Sequence, residues 1–126
     1  MSSSAKVILI TGGGSGMGRE AARRFAAEGA TVALFDVNAA GMAETVGTFD
    51  SIHSWTVDMT DFAAVCAAVR DVEEKHGPID RLYNCAAIMP FGKLVEQDNA
   101  IIHKQMAINY GGLVNITQAV LPGMLE

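Results

Sequence analysis

A run of apolar residues, most of them β-branched, leads directly into a glycine-rich segment near the start of this chain. Residues 7–10 show no polar alternation, which is typical of a strand covered on both faces in a parallel sheet. The glycine-rich segment, Thr11 to Gly18, follows at once. Apolar residues then recur every fourth position along a predicted helix that ends near Gly29, at Met17, Ala21 and Phe25. A strand, a glycine turn and a helix in this order predict the first unit of an α/β fold.

Three further apolar runs predict strands, at residues 31–35, 51–57 and 81–85. The first two runs end at aspartates, Asp36 and Asp58. Because helical patterns separate all four runs, we expect the strands to pair in parallel through right-handed crossovers. The sequence therefore predicts a doubly wound α/β fold in a single domain.

The segments between and after these strands have the periodicity of helices. Asn38 is a suitable cap for a short helix, Thr60 for a longer helix that Gly77 ends, and a last helix begins near Asp98. The longer helix has one apolar face, formed by Phe62, Val65, Val69 and Val72. Two glycines in the last helix weaken it by about 1 kcal/mol each relative to alanine. We therefore expect another backbone or a ligand to approach closely at Gly111 and Gly112.

Charge and composition exclude several classes of site. The net charge of −5 disfavours a nucleic-acid surface, so an anionic ligand has to be held by backbone groups. Residues 105–125 carry no charge, but their amides, glycines and Pro122 disfavour a membrane span, and we expect a buried or interface-facing helix. The three histidines lack the spacing of metal ligands, so we predict no metal site.

The two cysteines bear on the cellular compartment. Cys66 and Cys85 each lie in an apolar run, where we expect buried, reduced thiols. The apolar run near the N-terminus is too short for a secretory signal. Together these features predict a cytoplasmic protein.

The glycine-rich segment carries the strongest functional signal. Glycines let the chain turn tightly and approach a pyrophosphate, while the N-terminus of the next helix supplies unpaired N–H groups and a positive dipole. The spacing of Gly12, Gly16 and Gly18 fits neither the GxGxxG motif nor the Walker GxxxxGK[ST] motif. Its position after a strand and before a helix predicts nucleotide binding.

With Thr11 in front, this spacing resembles the TGxxxGxG motif of the short-chain dehydrogenase/reductase family, and the resemblance extends from Val7 to the last residues. It implies a Rossmann-type sheet with strand order 3-2-1-4, the family's remaining strands being absent. Residues 1–126 would then form a single, incomplete NAD(P)-binding domain. The resemblance also implies that a dinucleotide contacts Thr11, Gly12, Gly14, Ser15, Gly16, Met17 and Gly18.

Asp36 bears on the choice of cofactor. It lies eighteen positions after Gly18, at the end of the second strand, where a carboxylate can accept hydrogen bonds from the adenosine ribose hydroxyls. Its charge would repel a 2′-phosphate, and neither Ser15 nor Val37 supplies the cation expected in an NADP-binding relative. We therefore predict NAD(H) in preference to NADP(H). Capping of the following helix by Asp36 is an alternative role that does not exclude this one.

Other positions also resemble the family's cofactor site. Asp58, followed by Met59, resembles the acidic residue that contacts the adenine amino group. The segment Asn84-Cys85-Ala86-Ala87 resembles the family's Asn-Asn-Ala-Gly, from which Cys85 and Ala87 depart. In the last helix, Asn109 matches the asparagine that helps to organise a proton relay in the family.

In this family, hydride transfer depends on a serine and a Tyr-x-x-x-Lys pair, in which the lysine tunes the phenol for proton exchange. Neither tyrosine fits, because Ala87 lies four residues after Tyr83 and Val114 four residues after Tyr110. Asn109 is therefore the one member of the catalytic tetrad, and we expect the 126 residues to be inactive in hydride transfer by themselves. We also expect an open sheet edge at the fourth strand and homo-oligomer contacts through the last helix.

Three hypotheses about function remain open. The first hypothesis is that the chain is the amino-terminal part of an NAD-dependent oxidoreductase, which would act on a small alcohol or carbonyl substrate if the chain continues. Alternatively, it is a stand-alone, non-catalytic NAD-binding module or regulatory pseudoenzyme. The third hypothesis is an interaction protein that uses the fourth-strand edge and the last helix.

Overall fold

The computed structural model describes residues 6–126, so the first five residues of the predicted domain lie outside the described part. Strands and helices alternate along it. The strands are β1 (Val7–Thr11), β2 (Thr31–Asp36), β3 (Ile52–Thr56) and β4 (Arg81–Asn84). The helices are α1 (Gly16–Ala27), α2 (Ala39–Val46), α3 (Phe62–His76), α4 (Asn99–Met106) and α5 (Leu113–Leu125). A 3-10 turn at Leu94–Glu96 precedes α4, and a π-helical segment, Ala107–Gly112, joins α4 to α5.

The four strands form one parallel sheet in the order β3-β2-β1-β4. Val7 pairs with Thr31 at one end of β1, and Thr11 pairs with both Phe35 and Asn84 at the other end. The carboxyl ends of β1, β2 and β4 therefore meet at one edge of the sheet. The predicted α/β class and the strand order 3-2-1-4 are confirmed.

An apolar layer covers each face of the sheet. Successive side chains of a strand point to opposite faces, so Ile8 and Ile10 pack with one layer while Leu9 packs with the other. The first layer includes residues of α1 and α2, among them Ala22 and Met42. The second layer includes residues of α3 and α5, among them Val65, Val72, Ile116 and Val120. Burial on both faces explains the unbroken apolar runs of β1 and β2.

Two details of α3 differ from the sequence prediction. Asp61, not Thr60, caps the helix, because the Asp61 carboxylate accepts a hydrogen bond from the Ala64 N–H at 3.1 Å. The Thr60 hydroxyl instead donates to Asp58. Phe62 was predicted on the buried apolar face of this helix, but in the first turn it is 45% exposed. The prediction for Asn38 is confirmed, because its side chain caps α2 by accepting from the Gly41 N–H.

Several other residues also lie in surroundings that the sequence did not predict. Met17 is 73% exposed, because the first turn of α1 faces the open end of the sheet and not an apolar layer. Cys66 and Cys85 are free thiols, as predicted, but half-buried, since Cys66 lies on the rim of the α3 face and Cys85 beyond the end of β4. Across residues 6–126, no helix has the length and apolarity needed to cross a membrane.

The two adjacent glycines of the π-helical segment have different surroundings. A β-carbon at Gly112 would lie 2.9 Å from the Met59 β-carbon, so the backbone approaches another segment closely there. A β-carbon at Gly111 would meet nothing within 4 Å. The predicted close approach of another segment is therefore confirmed at Gly112, whereas at Gly111 no other segment of the described residues approaches.

Candidate functional site

A cleft of about 360 Å³ opens where the carboxyl ends of the strands meet. Open parallel sheets commonly bind ligands in such a crevice. Most of the residues predicted to bind a cofactor line it: Gly12, Ser15, Gly16, Met17, Gly18, Asp36, Val37, Asp58, Met59, Cys85, Ala86 and Ala87. The fold therefore brings together segments that are widely separated along the chain.

Four other predicted residues lie beside the cleft. Thr11, Asn84 and Asn109 line an adjoining cavity of about 290 Å³, which shares Cys85, Ala86 and Ala87 with the cleft. Gly14 is buried behind the cleft wall. Four further lining residues were not predicted from the sequence: Asn38, Val57, Ile88 and Ile108. Each of these is the immediate chain neighbour of a predicted residue, so extending each predicted segment by one position would have found them.

The glycine-rich segment lets backbone form the cleft wall. A β-carbon at Gly12 would lie 2.7 Å from the Ala86 nitrogen, and one at Gly18 would collide with the Gly12 carbonyl oxygen. Gly16 has a φ of 56°, and a β-carbon there would meet nothing within 4 Å. Because α1 begins at Gly16, its first N–H groups have no intrahelical partners, and the helix dipole adds partial positive charge. This arrangement suits an anion such as a pyrophosphate.

Asp36 presents a fixed carboxylate to the cleft. Its Oδ2 accepts a hydrogen bond from the Gly14 N–H at 2.8 Å, and its Oδ1 accepts one from the Asn38 N–H at 3.0 Å. Each oxygen keeps a second acceptor position, so the carboxylate can accept further hydrogen bonds from hydroxyl groups. The N-cap residue of α2 is Asn38, so the alternative capping role of Asp36 is not observed.

A second carboxylate and a thiol complete the lining. Asp58 accepts hydrogen bonds from the hydroxyl and the N–H of Thr60, at 2.7 and 2.9 Å, and these bonds lower its pKa. Asp58 is therefore charged over the whole physiological pH range. Burial raises the pKa of the Cys85 thiol, which is therefore a neutral, weakly polar part of the wall.

Two polar residues hold the wall that follows β4. The Thr11 hydroxyl donates to Asn84 Oδ1 at 3.0 Å and accepts from the N–H groups of Cys85 and Ala86. The Asn109 amide donates to the Ile88 carbonyl at 2.8 Å and accepts from the Ile88 N–H at 2.9 Å. Thr11 and Asn109 thus fix the backbone of this wall at two points, Thr11 at Cys85 and Ala86 and Asn109 at Ile88.

Comparison with known proteins agrees with this architecture. The family described as short chain dehydrogenase matches residues 6–126. A 2-keto-3-deoxy-L-fuconate dehydrogenase from Xanthomonas campestris is 38% identical over 96% of this chain and 39% of its own length. A 2-dehydro-3-deoxy-L-rhamnonate dehydrogenase (NAD(+)) from a Sphingomonas species is 36% identical over 96% of this chain and 49% of its own.

The ligand-free structure of Thermoplasma acidophilum aldohexose dehydrogenase superposes with a TM-score of 0.84, at 26% identity over 95% of this chain and 44% of that one. The chain spans less than half the length of each of these three proteins. The match to the family over residues 6–126 agrees with the β3-β2-β1-β4 sheet and with the glycine-rich segment at its edge. The chain therefore belongs to the short-chain dehydrogenase/reductase family of oxidoreductases.

Proposed function

We propose that this chain supplies the nucleotide-binding part of a dehydrogenase and binds NAD(H) in preference to NADP(H). The observation that carries the proposal is the Asp36 carboxylate, which lines the cleft and is held by two backbone N–H groups. A carboxylate fixed in this position accepts hydrogen bonds from the adenosine ribose hydroxyls and repels a 2′-phosphate. The relative that carries NAD(+) in its name is consistent with this preference.

The residues of the cleft fit a dinucleotide. Its pyrophosphate would lie against the first turn of α1, where Gly16 leaves open space and the N–H groups lack intrahelical partners. Asp58 would accept a hydrogen bond from the adenine amino group. The backbone at Cys85 to Ala87 would contact the second ribose, and Asn109 would hold that wall in place through Ile88. The bound dinucleotide supplies the hydride donor or acceptor, and these residues bind and orient it.

The proposed reaction is the oxidation of a small alcohol or the reduction of the corresponding carbonyl compound. The relatives named above are dehydrogenases of sugar-derived acids or of aldohexoses, and all three names describe this class of reaction. Within the tetrad of the family, Asn109 is the member that we assign to this chain. Its role is to position the wall at Ile88, because both ends of its amide bond to that residue.

We also propose a homo-oligomer that forms through the last helical segments. Exposed apolar side chains recur there at helical spacing, at Met106, Tyr110, Leu113, Val114 and Leu121. Tyr110 is 64% exposed, and an exposed apolar stripe of this kind is typical of a protein interface. Light scattering after gel filtration should show an oligomer that Val114→Glu dissociates, and a monomeric wild-type protein would contradict this part of the proposal.

The cofactor preference is tested by titrating NADH and NADPH into the protein while following nicotinamide fluorescence. We expect the Kd for NADH to be at least about tenfold lower than the Kd for NADPH, since repulsion between Asp36 and the 2′-phosphate contributes roughly 1–3 kcal/mol. Asp36→Asn should bring the two Kd values closer together, because it removes the charge and keeps one acceptor oxygen. Asp50→Asn is the matched control, because Asp50 is exposed and follows α2 outside the cleft. Equal or tighter binding of NADPH by the wild-type protein would overturn the proposal.

A further inference from the structure

Two side chains outside the glycine-rich segment hold its carbonyl groups. Thr45 of α2 is fully buried, and its hydroxyl donates to the Gly13 carbonyl oxygen at 2.6 Å. Arg19 of α1 donates from Nη2 to the Gly14 carbonyl oxygen, also at 2.6 Å. The two side chains are joined, because Arg19 Nε donates to the Thr45 hydroxyl at 3.0 Å. Arg19 and Thr45 therefore form one hydrogen-bonded clamp on two successive peptide units.

The clamp is continuous with the first turns of α2. The same Arg19 nitrogen donates to the Gly41 carbonyl at 3.1 Å and forms an ion pair with Glu44 at 3.3 Å. A β-carbon at Gly41 would collide with the Gly14 carbonyl oxygen, so α2 lies directly against the glycine-rich segment. Arg19 and Thr45 line neither the cleft nor the adjoining cavity. Whatever they contribute to ligand binding therefore passes through the backbone that they hold.

A trans peptide unit is planar, and its carbonyl and N–H point in opposite directions. Holding the Gly13 carbonyl therefore also directs the Gly14 N–H, which donates to Asp36 Oδ2. Holding the Gly14 carbonyl directs the Ser15 N–H away from Arg19, and Ser15 lines the cleft. The Gly14 N–H is thus committed to Asp36, so the Ser15 N–H and the first N–H groups of α1 are the donors that an anion in the cleft would meet.

We propose that Arg19 and Thr45 are positioning residues that orient the peptide units of the glycine-rich segment toward a pyrophosphate. The inference rests on the proposed binding of NAD(H). It adds a specific consequence: loss of the clamp weakens the pyrophosphate contacts more than the adenosine contacts. Asp36 keeps its hydrogen bond from the Asn38 N–H, and Asp58 is held by Thr60, outside the clamp. ADP and adenosine, which differ by the pyrophosphate alone, separate the two sets of contacts.

The test uses two substitutions that break the clamp and one that keeps it. Thr45→Val preserves the shape of the side chain and removes the hydroxyl, whereas Thr45→Ser retains it. Arg19→Lys keeps the positive charge and removes the fork that reaches Gly14 and Thr45 together. Matched controls are Arg24→Lys, on the exposed side of α1 in an ion pair with Glu20, and Thr31→Val, at the opposite end of β2.

ADP and adenosine are competed against NADH in the protein, and folding of each variant is checked by thermal unfolding. Thr45→Val and Arg19→Lys should weaken ADP binding by about tenfold, the usual effect of misplacing a charge-assisted hydrogen bond, with adenosine binding within about twofold of wild type. Thr45→Ser and both controls should stay within about threefold of wild type for both ligands.

An equal loss of ADP and adenosine binding, or unchanged ADP binding in folded Arg19→Lys, would overturn the inference alone. Arg19 is partly exposed, so this variant carries the test even if Thr45→Val does not fold. A wild-type protein that binds neither NADH nor ADP would instead overturn the proposed function, and the inference with it.

Discussion

The two walls of the cleft are held in different ways. On the wall formed by the glycine-rich segment, side chains of α1, β2 and α2 fix successive backbone groups, through Arg19, Asp36 and Thr45. The wall after β4 depends on Thr11 and Asn109, and beyond them the chain is exposed, with Val95 at 91%. The first wall is thus preorganised from three elements, and the second is held at two points.

This difference predicts how the walls respond to substitution. A change in the glycine-rich wall has to displace backbone that is packed on several sides, so it should affect both folding and binding strongly. A change in the wall after β4 should loosen that wall locally and leave the other one intact. A site outside both walls should alter stability without altering the affinity for nucleotide.

Gly18→Ala should have the largest effect. The new β-carbon would collide with the Gly12 carbonyl oxygen, and the Gly12 backbone is held in place by the hydrogen bond from its N–H to the Phe35 carbonyl at 2.8 Å. We expect destabilisation of at least about 2 kcal/mol and loss of NADH binding. Urea denaturation and NADH titration measure both quantities.

Gly111→Ala is the matched control for Gly18→Ala, because its β-carbon would enter open space in a helical segment. It should leave stability unchanged or raise it by up to about 1 kcal/mol. If Gly18→Ala keeps the stability and the NADH affinity of the wild-type protein, the glycine-rich wall is less constrained than its packing indicates.

Asn109→Ala should have an intermediate effect that is confined to the second wall. It removes both hydrogen bonds to Ile88 and should cost about 1–2 kcal/mol. Hydrogen exchange should become faster for residues 86–95 and stay unchanged in the glycine-rich segment. Gln118→Ala, on the exposed surface of α5, serves as the control. Faster exchange in both walls would mean that the two walls are not held independently.

The smallest effect should be the change in stability when a histidine pair remote from the cleft takes up a proton. His53 of β3 stacks on His76 of α3 with ring centroids 4.4 Å apart. Nearby, the Trp55 indole N–H donates a hydrogen bond to the Asp71 carboxylate, which also accepts one from Lys75. Burial, and then the charge of His76, hold the pKa of His53 below its ordinary value of 6.5. The unfolded chain therefore takes up a proton near this pH more readily than the folded chain, so this contribution to stability is present above 6.5 and lost as the pH falls below it.

Thermal unfolding at about pH 7.5 and about pH 5.5 tests this effect. The wild-type midpoint should fall on acidification, and His53→Gln should reduce the fall, with NADH affinity at neutral pH unchanged. A midpoint that rises on acidification would contradict the assignment. A change in NADH affinity would contradict the separation of this site from the cleft.

The fold was predictable because its signals are local. Apolar runs, a glycine turn and regular helical spacing specify a parallel α/β sheet, and aspartates at strand ends mark the edge where the cleft lies. The exposure of Met17 was not predictable, because periodicity does not show where a helix extends beyond the layer that it covers. The choice of Asp61 over Thr60 as a cap was also open, since both side chains are good caps.

The clamp formed by Arg19 and Thr45 could not be predicted from sequence patterns. Its hydrogen bonds join Arg19 to Thr45 across 26 positions and Thr45 to Gly13 across 32, and they follow no local motif. A threonine in a short helix is ordinary, and so is an arginine on an amphipathic one. The packing of α2 against the glycine-rich segment gives these residues their significance, and that packing is a property of the tertiary structure.

The most direct test of the central claim is a crystal structure of the protein with NAD⁺. We predict that the pyrophosphate lies against the first turn of α1 and that the adenosine ribose hydroxyls lie within hydrogen-bond distance of Asp36. A dinucleotide bound outside this cleft, or bound in it with its ribose away from Asp36, would contradict the account.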